Sequence, residues 1–282
     1  MRALLTIILI NILYITPLSA QELQGTLKNI LESGKIKIGY RQSHPPMSFL
    51  DKSSIPSGYS IDLCKHIVTG VEKKIGKEIS IEYIPVTAEE RFEALISDKI
   101  DILCGATTAT LSRRELVDFT QLTFVTGGSY MALKGRKIKN NFDGKKIGVL
   151  RDTTTAVALT KLFHEAEIKI DMVLLNTLAE GFSALKEGKI DLLSADQVVL
   201  LGLILNVENP GDFSIFPDMF SYEPLALAMR RNDADFRLIA DRTLSNLFRS
   251  SQIDAIYDTW FGGFGQRLEA FDVMIQLNTI PE

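Results

Sequence analysis

Apolar residues at Ile61, Cys64, Ile67, Val68, Val71 and Ile75 recur with the spacing of a single helix face, which predicts a helix over residues 59–77. The period then changes, because residues 79–85 alternate apolar and polar as a half-buried strand does. Further strands are expected over residues 129–134, 172–175, 213–216 and 225–229, and helices over 233–248 and 252–260. Thr87 with Glu90, and Thr177 with Glu180, have the spacing of a capping box, in which hydroxyl and carboxylate each satisfy an amide of the first helical turn. Strands alternating with helices of this length predict an α/β fold of mainly parallel sheets with helices on both faces.

The first twenty residues stand apart from this pattern. Arg2 precedes an uncharged apolar run over residues 3–15, followed by Pro17 and small residues to Ala20, the layout of a cleavable signal peptide over residues 1–20. The run is short of the roughly 20 apolar residues that a membrane span needs, although a retained anchor is the other way to read it. Export would place Cys64 and Cys104 in an oxidising compartment, where they can pair. Two buried free thiols, one on an apolar helix face and one ending an apolar strand, fit the pattern equally well.

Internal similarity divides the rest of the chain. The pattern A-L-x-x-x-K-I-D-[I/L]-L occurs at residues 94–103 and again at 184–193, and a Gly-Lys-led apolar strand opens at both Gly34 and Gly144. The same order twice predicts two lobes of related architecture. The chain is expected to cross between them within residues 123–128 and to return within 221–224, giving one lobe from residues 21–124 and 223–282 and a second from 125–222. Two connecting strands then act as a hinge beside an interlobe cleft. With 282 residues there is enough chain for two such cores, and 31 basic against 35 acidic side chains give no electrostatic support to a nucleic-acid role.

Chemistry-bearing motifs are sparse. His44, His66 and His164 lie in different elements without metal-ligand spacing, and no phosphate loop, Cys-x-x-Cys or nucleophile-elbow pattern occurs. No metal, cofactor or catalytic set is expected. Most informative is the segment from Cys104 to Glu115, where a strand ends in small and hydroxyl residues before a short helix, the position at which open α/β sheets bind ligands. Gly105 and Ala106 let backbone approach a ligand, Thr108 offers amide and hydroxyl, and Arg113 can grip a carboxylate with two donors. The purely structural alternative is a capping box from Ser112 to Glu115 with two exposed arginines.

Taken in order, these features resemble a known family. Gly39-Tyr40-Arg41 with Pro46, the run from Ser57 to Leu63, the run from Ile100 to Thr108, Arg113 and Val117-Asp118-Phe119 are similar to the first lobe of periplasmic polar amino-acid solute-binding proteins of ABC importers, family 3. Gly144 to Val149, Thr153-Thr154, Asp191, Asp196 and Trp260-Phe261-Gly262 extend the likeness through the second lobe. The resemblance implies a two-lobed type II periplasmic binding fold joined by two hinge strands. It also implies a monomer in the periplasm that captures a free amino acid by hinge closure and delivers it to an ABC permease and ATPase complex. It carries Arg113, Thr108, Thr153 and Thr154 onto the ligand α-carboxylate, and Asp196 onto the α-ammonium, the structural alternative for Asp196 being an N-cap of the helix over 198–205. Arg41 and Arg91 match the arginines with which glutamate/aspartate receptors meet a side-chain carboxylate.

Three positions depart from those receptors. Ala88 stands where they have a serine, Leu178 near their histidine, and Asp152 where glycine is usual. As an N-cap, Asp152 would occupy helix amides otherwise open to the ligand. The fold also carries other uses, a cyclohexadienyl dehydratase-like periplasmic enzyme or a sensor, so the expectation of a non-enzyme rests on the absence of an acid–base pair in the cleft.

Overall fold

Hydrophobic strands open each half of the chain, and they pair into two five-stranded sheets. The computed structural model describes residues 22–136, 138, 141–205, 207–265 and 267–281; the expected signal peptide, residues 1–20, lies outside the described residues. In chain order, α1 (Gly25–Ser33) leads to β1 (Lys35–Tyr40) and to a small ladder of β2 (Ser43–His44), β3 (Ser48–Leu50) and β4 (Pro56–Ser57). Then come α2 (Tyr59–Ile75), β5 (Ser80–Pro85), α3 (Arg91–Ile96), β6 (Ile102–Cys104), α4 (Leu111–Arg114) and the long β7 (Val117–Thr126). The second half holds β8 (Gly128–Leu133), β9 (Lys146–Leu150), α5 (Thr154–Glu165), β10 (Asp171–Leu175), α6 (Leu178–Lys186), β11 (Leu192–Asp196), α7 (Gln197–Leu205) and β12 (Phe213–Ile215). β13 (Glu223–Arg230) and the helices α8 (Ala234–Arg249), α9 (Gln252–Phe261) and α10 (Glu269–Asn278) close the chain.

The sheets run β5-β1-β6-β13-β7 and β10-β9-β11-β8-β12. Each is mixed. β1 is parallel to β5 and β6, and β9 to β10 and β11, whereas β13 and β8, the strands beside the crossings, pair antiparallel with both neighbours. The crossings explain this, since β8 leaves β7 after one residue and β13 returns directly alongside it.

The sequence repeat has a structural cause. Asp101 accepts the Lys37 amide at 2.8 Å, and Asp191 accepts the Lys146 amide at 3.0 Å, so in each lobe the aspartate of the K-I-D pattern pins the start of the neighbouring strand. Both carboxylates are then closed off by arginine, Arg230 on Asp101 and Arg136 on Asp191. Asp101 is buried, and a buried acceptor with both oxygens engaged is stabilising where an unpaired one would be costly.

Packing ties the C-terminal helices to the first sheet. Tyr59 is fully buried at the start of α2, donates its hydroxyl to the Thr123 carbonyl at 2.7 Å, and meets Phe124, Phe261 and Phe271 ring to ring. This cluster joins α2, β7, α9 and α10 in one apolar knot, with edge-on ring contacts adding to area burial. Residues 263–282, unassigned by the sequence pattern, include α10, whose Asn278 accepts the Leu122 amide of β7 at 3.2 Å.

The cysteines are paired. Cys64 of α2 and Cys104 at the end of β6 form a disulfide with a Cα–Cα distance of 6.4 Å, resolving the two alternatives left by the pattern. A loop closed across 40 positions restricts the unfolded chain. Cys64→Ala with Cys104→Ala is therefore expected to cost about 2–4 kcal/mol, measurable as a lower denaturant midpoint with a steeper slope, because the unbridged unfolded chain exposes more surface.

Candidate functional site

A cavity lies where the carboxyl ends of β1, β6 and β11 meet the amino end of α5. Arg41 follows β1, Arg91 opens α3, Ala106 and Thr108 follow β6, Arg113 projects from α4, Thr153 and Thr154 begin α5, and Asp196 ends β11. All of these line the cavity. Gly105 does not. A Cβ there would come 3.1 Å from Arg41 Cγ, so this glycine makes room for the arginine stem rather than for a ligand.

Local chemistry differs from the sequence expectation at both helix starts. Thr110, not Ser112, caps α4 by accepting the Arg113 amide at 3.2 Å, which turns Arg113 inward to donate to the Thr108 carbonyl at 2.8 Å. At α5, Thr153 is the N-cap, accepting from the Ala156 amide at 3.2 Å. Asp152 is no cap. It has φ +58°, a left-handed conformation suited to glycine that aspartate tolerates, and its carbonyl accepts from Arg91 Nη2 at 3.0 Å. Thr87 and Glu90 form the expected reciprocal pair, at 3.2 and 3.3 Å, leaving Glu90 engaged away from Arg91. In the second lobe Thr177 accepts from Glu180, but Glu180 reaches back to the Asn176 amide, one residue earlier than a standard capping box.

Sequence reasoning missed Glu223. This carboxylate is 1% exposed at the start of β13, and its Oε2 accepts the hydroxyls of Thr108 and Thr154, each at 2.6 Å, while Oε1 accepts Ser221 at 2.7 Å. One oxygen thus receives a hydroxyl from each side of the cleft. Its only signal was an acidic residue within the return segment 221–224, otherwise understood as a crossing.

Electrostatics sort the lining into two groups. Burial pushes the Arg41 guanidinium down to about 10, with Glu90 opposing, and pushes Arg91 down to about 9, aided by Arg113 and Arg41. Both stay charged at neutral pH. Arg91 also lies 4.4 Å over the Phe92 ring, and its Nη1 is buried without a hydrogen-bond partner. Arg113 is likewise lowered by burial, with Glu223 and Asp196 opposing.

Burial and the Glu223 charge push Asp196 up to about 7, against the pull of the Thr155 hydroxyl at 3.3 Å and of Arg113. A carboxyl raised in the folded state adds stability below its ordinary pKa of 3.8, and that stability is lost as pH rises through about 7. Asp196→Asn is accordingly expected to gain on the wild type between pH 4 and pH 8 in denaturant unfolding of the ligand-free protein. The gain should be on the order of 2 kcal/mol, short of the full shift because the residue keeps partial solvent contact.

The lining is suited to a small solute with separated charges. Three guanidinium groups can meet anions and Asp196 a cation, and Leu150, Leu178 and Val199 add apolar wall. Ala88, though buried, lies outside this lining.

Residues 36–263 match the model for bacterial extracellular solute-binding proteins, family 3. The chain is 29% identical over 263 residues to the L-glutamate/L-aspartate-binding protein of Pseudomonas aeruginosa, spanning 92% of this chain and 87% of that one. It is 29% identical over 240 residues to the glutamate/aspartate import solute-binding protein of Escherichia coli, spanning 84% and 80%. Among solved structures it resembles the cysteine-binding protein of Campylobacter jejuni, with a TM-score of 0.77 at 24% identity over 88% of this chain and 98% of that one. An ancestral arginine-binding protein bound to arginine matches with a TM-score of 0.71 at 29% identity over 81% and 99%.

Proposed function

The chain belongs to the bacterial extracellular solute-binding proteins of family 3, and from that premise we propose that it captures a free acidic amino acid for an ABC import system. The lobes in this scheme are residues 21–124 with 223–282, and residues 125–222. The carrying observation is the pair of buried guanidinium groups, Arg41 and Arg91, that line the cavity with no carboxylate bonded to either among the described residues. Two uncompensated buried cations are costly unless an anion completes them. The names of the similar receptors from Pseudomonas aeruginosa and Escherichia coli, both for glutamate and aspartate, support the same choice.

Roles follow from placement. Arg113, fixed by the Thr108 carbonyl, receives the α-carboxylate together with the start of α5 at Thr153 and Thr154. Asp196 receives the α-ammonium, and Arg41 and Arg91 receive the side-chain carboxylate. Arg91 comes from the first lobe and its Asp152 acceptor from the second, so closure both encloses the solute and gives Nη2 of the arginine an acceptor. Hinge closure around a ligand is the behaviour of periplasmic binding proteins as a class. Delivery to a permease and ATPase complex, a periplasmic location after removal of residues 1–20, and a non-catalytic role accord with relatives named as import solute-binding proteins.

Titration calorimetry with the twenty amino acids tests the proposal. L-glutamate or L-aspartate should bind at least tenfold more tightly than glutamine or asparagine. Heat from neutral or basic amino acids alone would reject an acidic ligand, and heat from none would reject amino-acid capture.

A further inference from the structure

His44 lines the same cavity, yet the scheme above gives it no task. It is 6% exposed and ends β2, where it pairs with Ser48 of β3, and its carbonyl accepts the Met47 amide at 2.9 Å. The backbone is therefore held, and the imidazole is delivered to a fixed place. Its Nδ1 is buried with no hydrogen-bond partner among the described residues, as is Nη1 of Arg91. Packing alone does not call for a polar ring in a wall that includes Leu178 and Val199, because an unpaired buried nitrogen costs stability that an apolar side chain would not.

The unpaired nitrogens specify their partner. Guanidinium groups only donate, so Arg41 and Arg91 need an acceptor, and their charges repel a ligand ammonium. Burial, then Arg41, then Arg91 hold His44 well below its ordinary pKa, so the ring is neutral and has one N–H to give. Arg41, His44 and Arg91 line one cavity, and their N–H donors match a terminal group with two oxygens and several lone pairs, which is a carboxylate.

We propose that His44 is a specificity-determining residue that joins Arg41 and Nη1 of Arg91 in holding the ligand's side-chain carboxylate through one imidazole hydrogen bond. This rests on the acidic-ligand proposal above. The arginines supply attraction at a distance, while the imidazole supplies a short directional contact that fixes where the carboxylate sits.

Two measurements on the full mature chain test it. By calorimetry, His44→Ala should weaken L-glutamate or L-aspartate at least tenfold, and His44→Gln, which keeps a donor, should recover affinity to within about threefold of wild type. In ¹⁵N spectra the sequence has only three histidines, so the His44 signals are identified by their loss in His44→Gln. Those signals should shift when the acidic amino acid is added, while His66 and His164 stay put. Unchanged affinity in His44→Ala, or no shift at His44 on saturation, overturns the role of His44 while leaving the acidic ligand standing. Equal weakening in both variants with a lowered unfolding midpoint assigns the ring to structure and overturns it as well. Failure of the wild-type chain to bind either acidic amino acid overturns the acidic-ligand proposal and this one with it.

Discussion

Replacing Arg113 with alanine is expected to weaken every amino-acid ligand at least a hundredfold, about 2.8 kcal/mol, without unfolding the protein. In the proposed scheme this guanidinium meets the α-carboxylate, the group all amino acids share, so the loss should not depend on the side chain. Truncating one partner of a buried charge pair typically costs 2–5 kcal/mol, because the other charge is left desolvated and unpaired. Arg113 is only partly buried, and the one hydrogen bond from its side chain goes to the Thr108 carbonyl, so the fold depends on it little. Arg41→Ala should instead penalise acidic ligands selectively. Calorimetry on both variants separates the cases. An Arg113→Ala protein that still binds within tenfold of wild type would remove this residue from the site.

Gly202→Ala is expected to lower affinity by a similar factor through closure rather than contact. Gly202 lies in α7 of the second lobe, and a Cβ there would come 2.2 Å from the Pro45 carbonyl oxygen and 2.6 Å from Pro46 Cδ of the first. Backbone on both sides cannot yield as a flexible side chain could. The closed state is thereby penalised while an open state, in which Pro45 is withdrawn, is untouched. Ligand affinity falls by the factor through which the competent population is reduced. Alanine is also the better helix former by about 1 kcal/mol, so the ligand-free variant should unfold no earlier than wild type. Reduced affinity with unreduced stability, and scattering that stays extended on adding ligand, is the expected combination. Unchanged affinity would mean that the bound form does not bring α7 against Pro45.

Local patterns carried most of the fold. Apolar spacing located α2, α8 and α9 to within two residues at their ends, because each buries one continuous face. Asp233, expected inside α8, is its N-cap and accepts the Phe236 amide at 3.4 Å, a shift of one position. The repeated K-I-D pattern proved informative because Asp101 and Asp191 solve the same problem twice, fixing the strand beside them. That the arginines, threonines and Asp196 line one cavity was also legible, since strand ends and helix starts meet there.

What escaped the sequence depended on partners distant along the chain. Glu223 bonds Thr108 across 115 positions and Thr154 across 69, and nothing in its own neighbourhood announces either. His44 looked like an isolated histidine until β2 brought it beside Arg41 and Arg91. Gly105 seemed to serve a ligand and instead clears the Arg41 stem, while Asp152, which looked like a cap, is a left-handed turn whose carbonyl serves Arg91.

The sequence by itself determined the α/β alternation, the duplicated lobe pattern and the types of charge available for binding, because these follow from spacing of a few residues along one chain segment. Only the tertiary structure decided that Cys64 and Cys104 pair, that Gly202 must stay small, and that among the described residues Arg91 and His44 each bring a buried, unpaired nitrogen to a cavity that Arg41 also lines. Those outcomes depend on which surfaces the two sheets press together, and burial and partnership are properties of that contact rather than of any local run of residues.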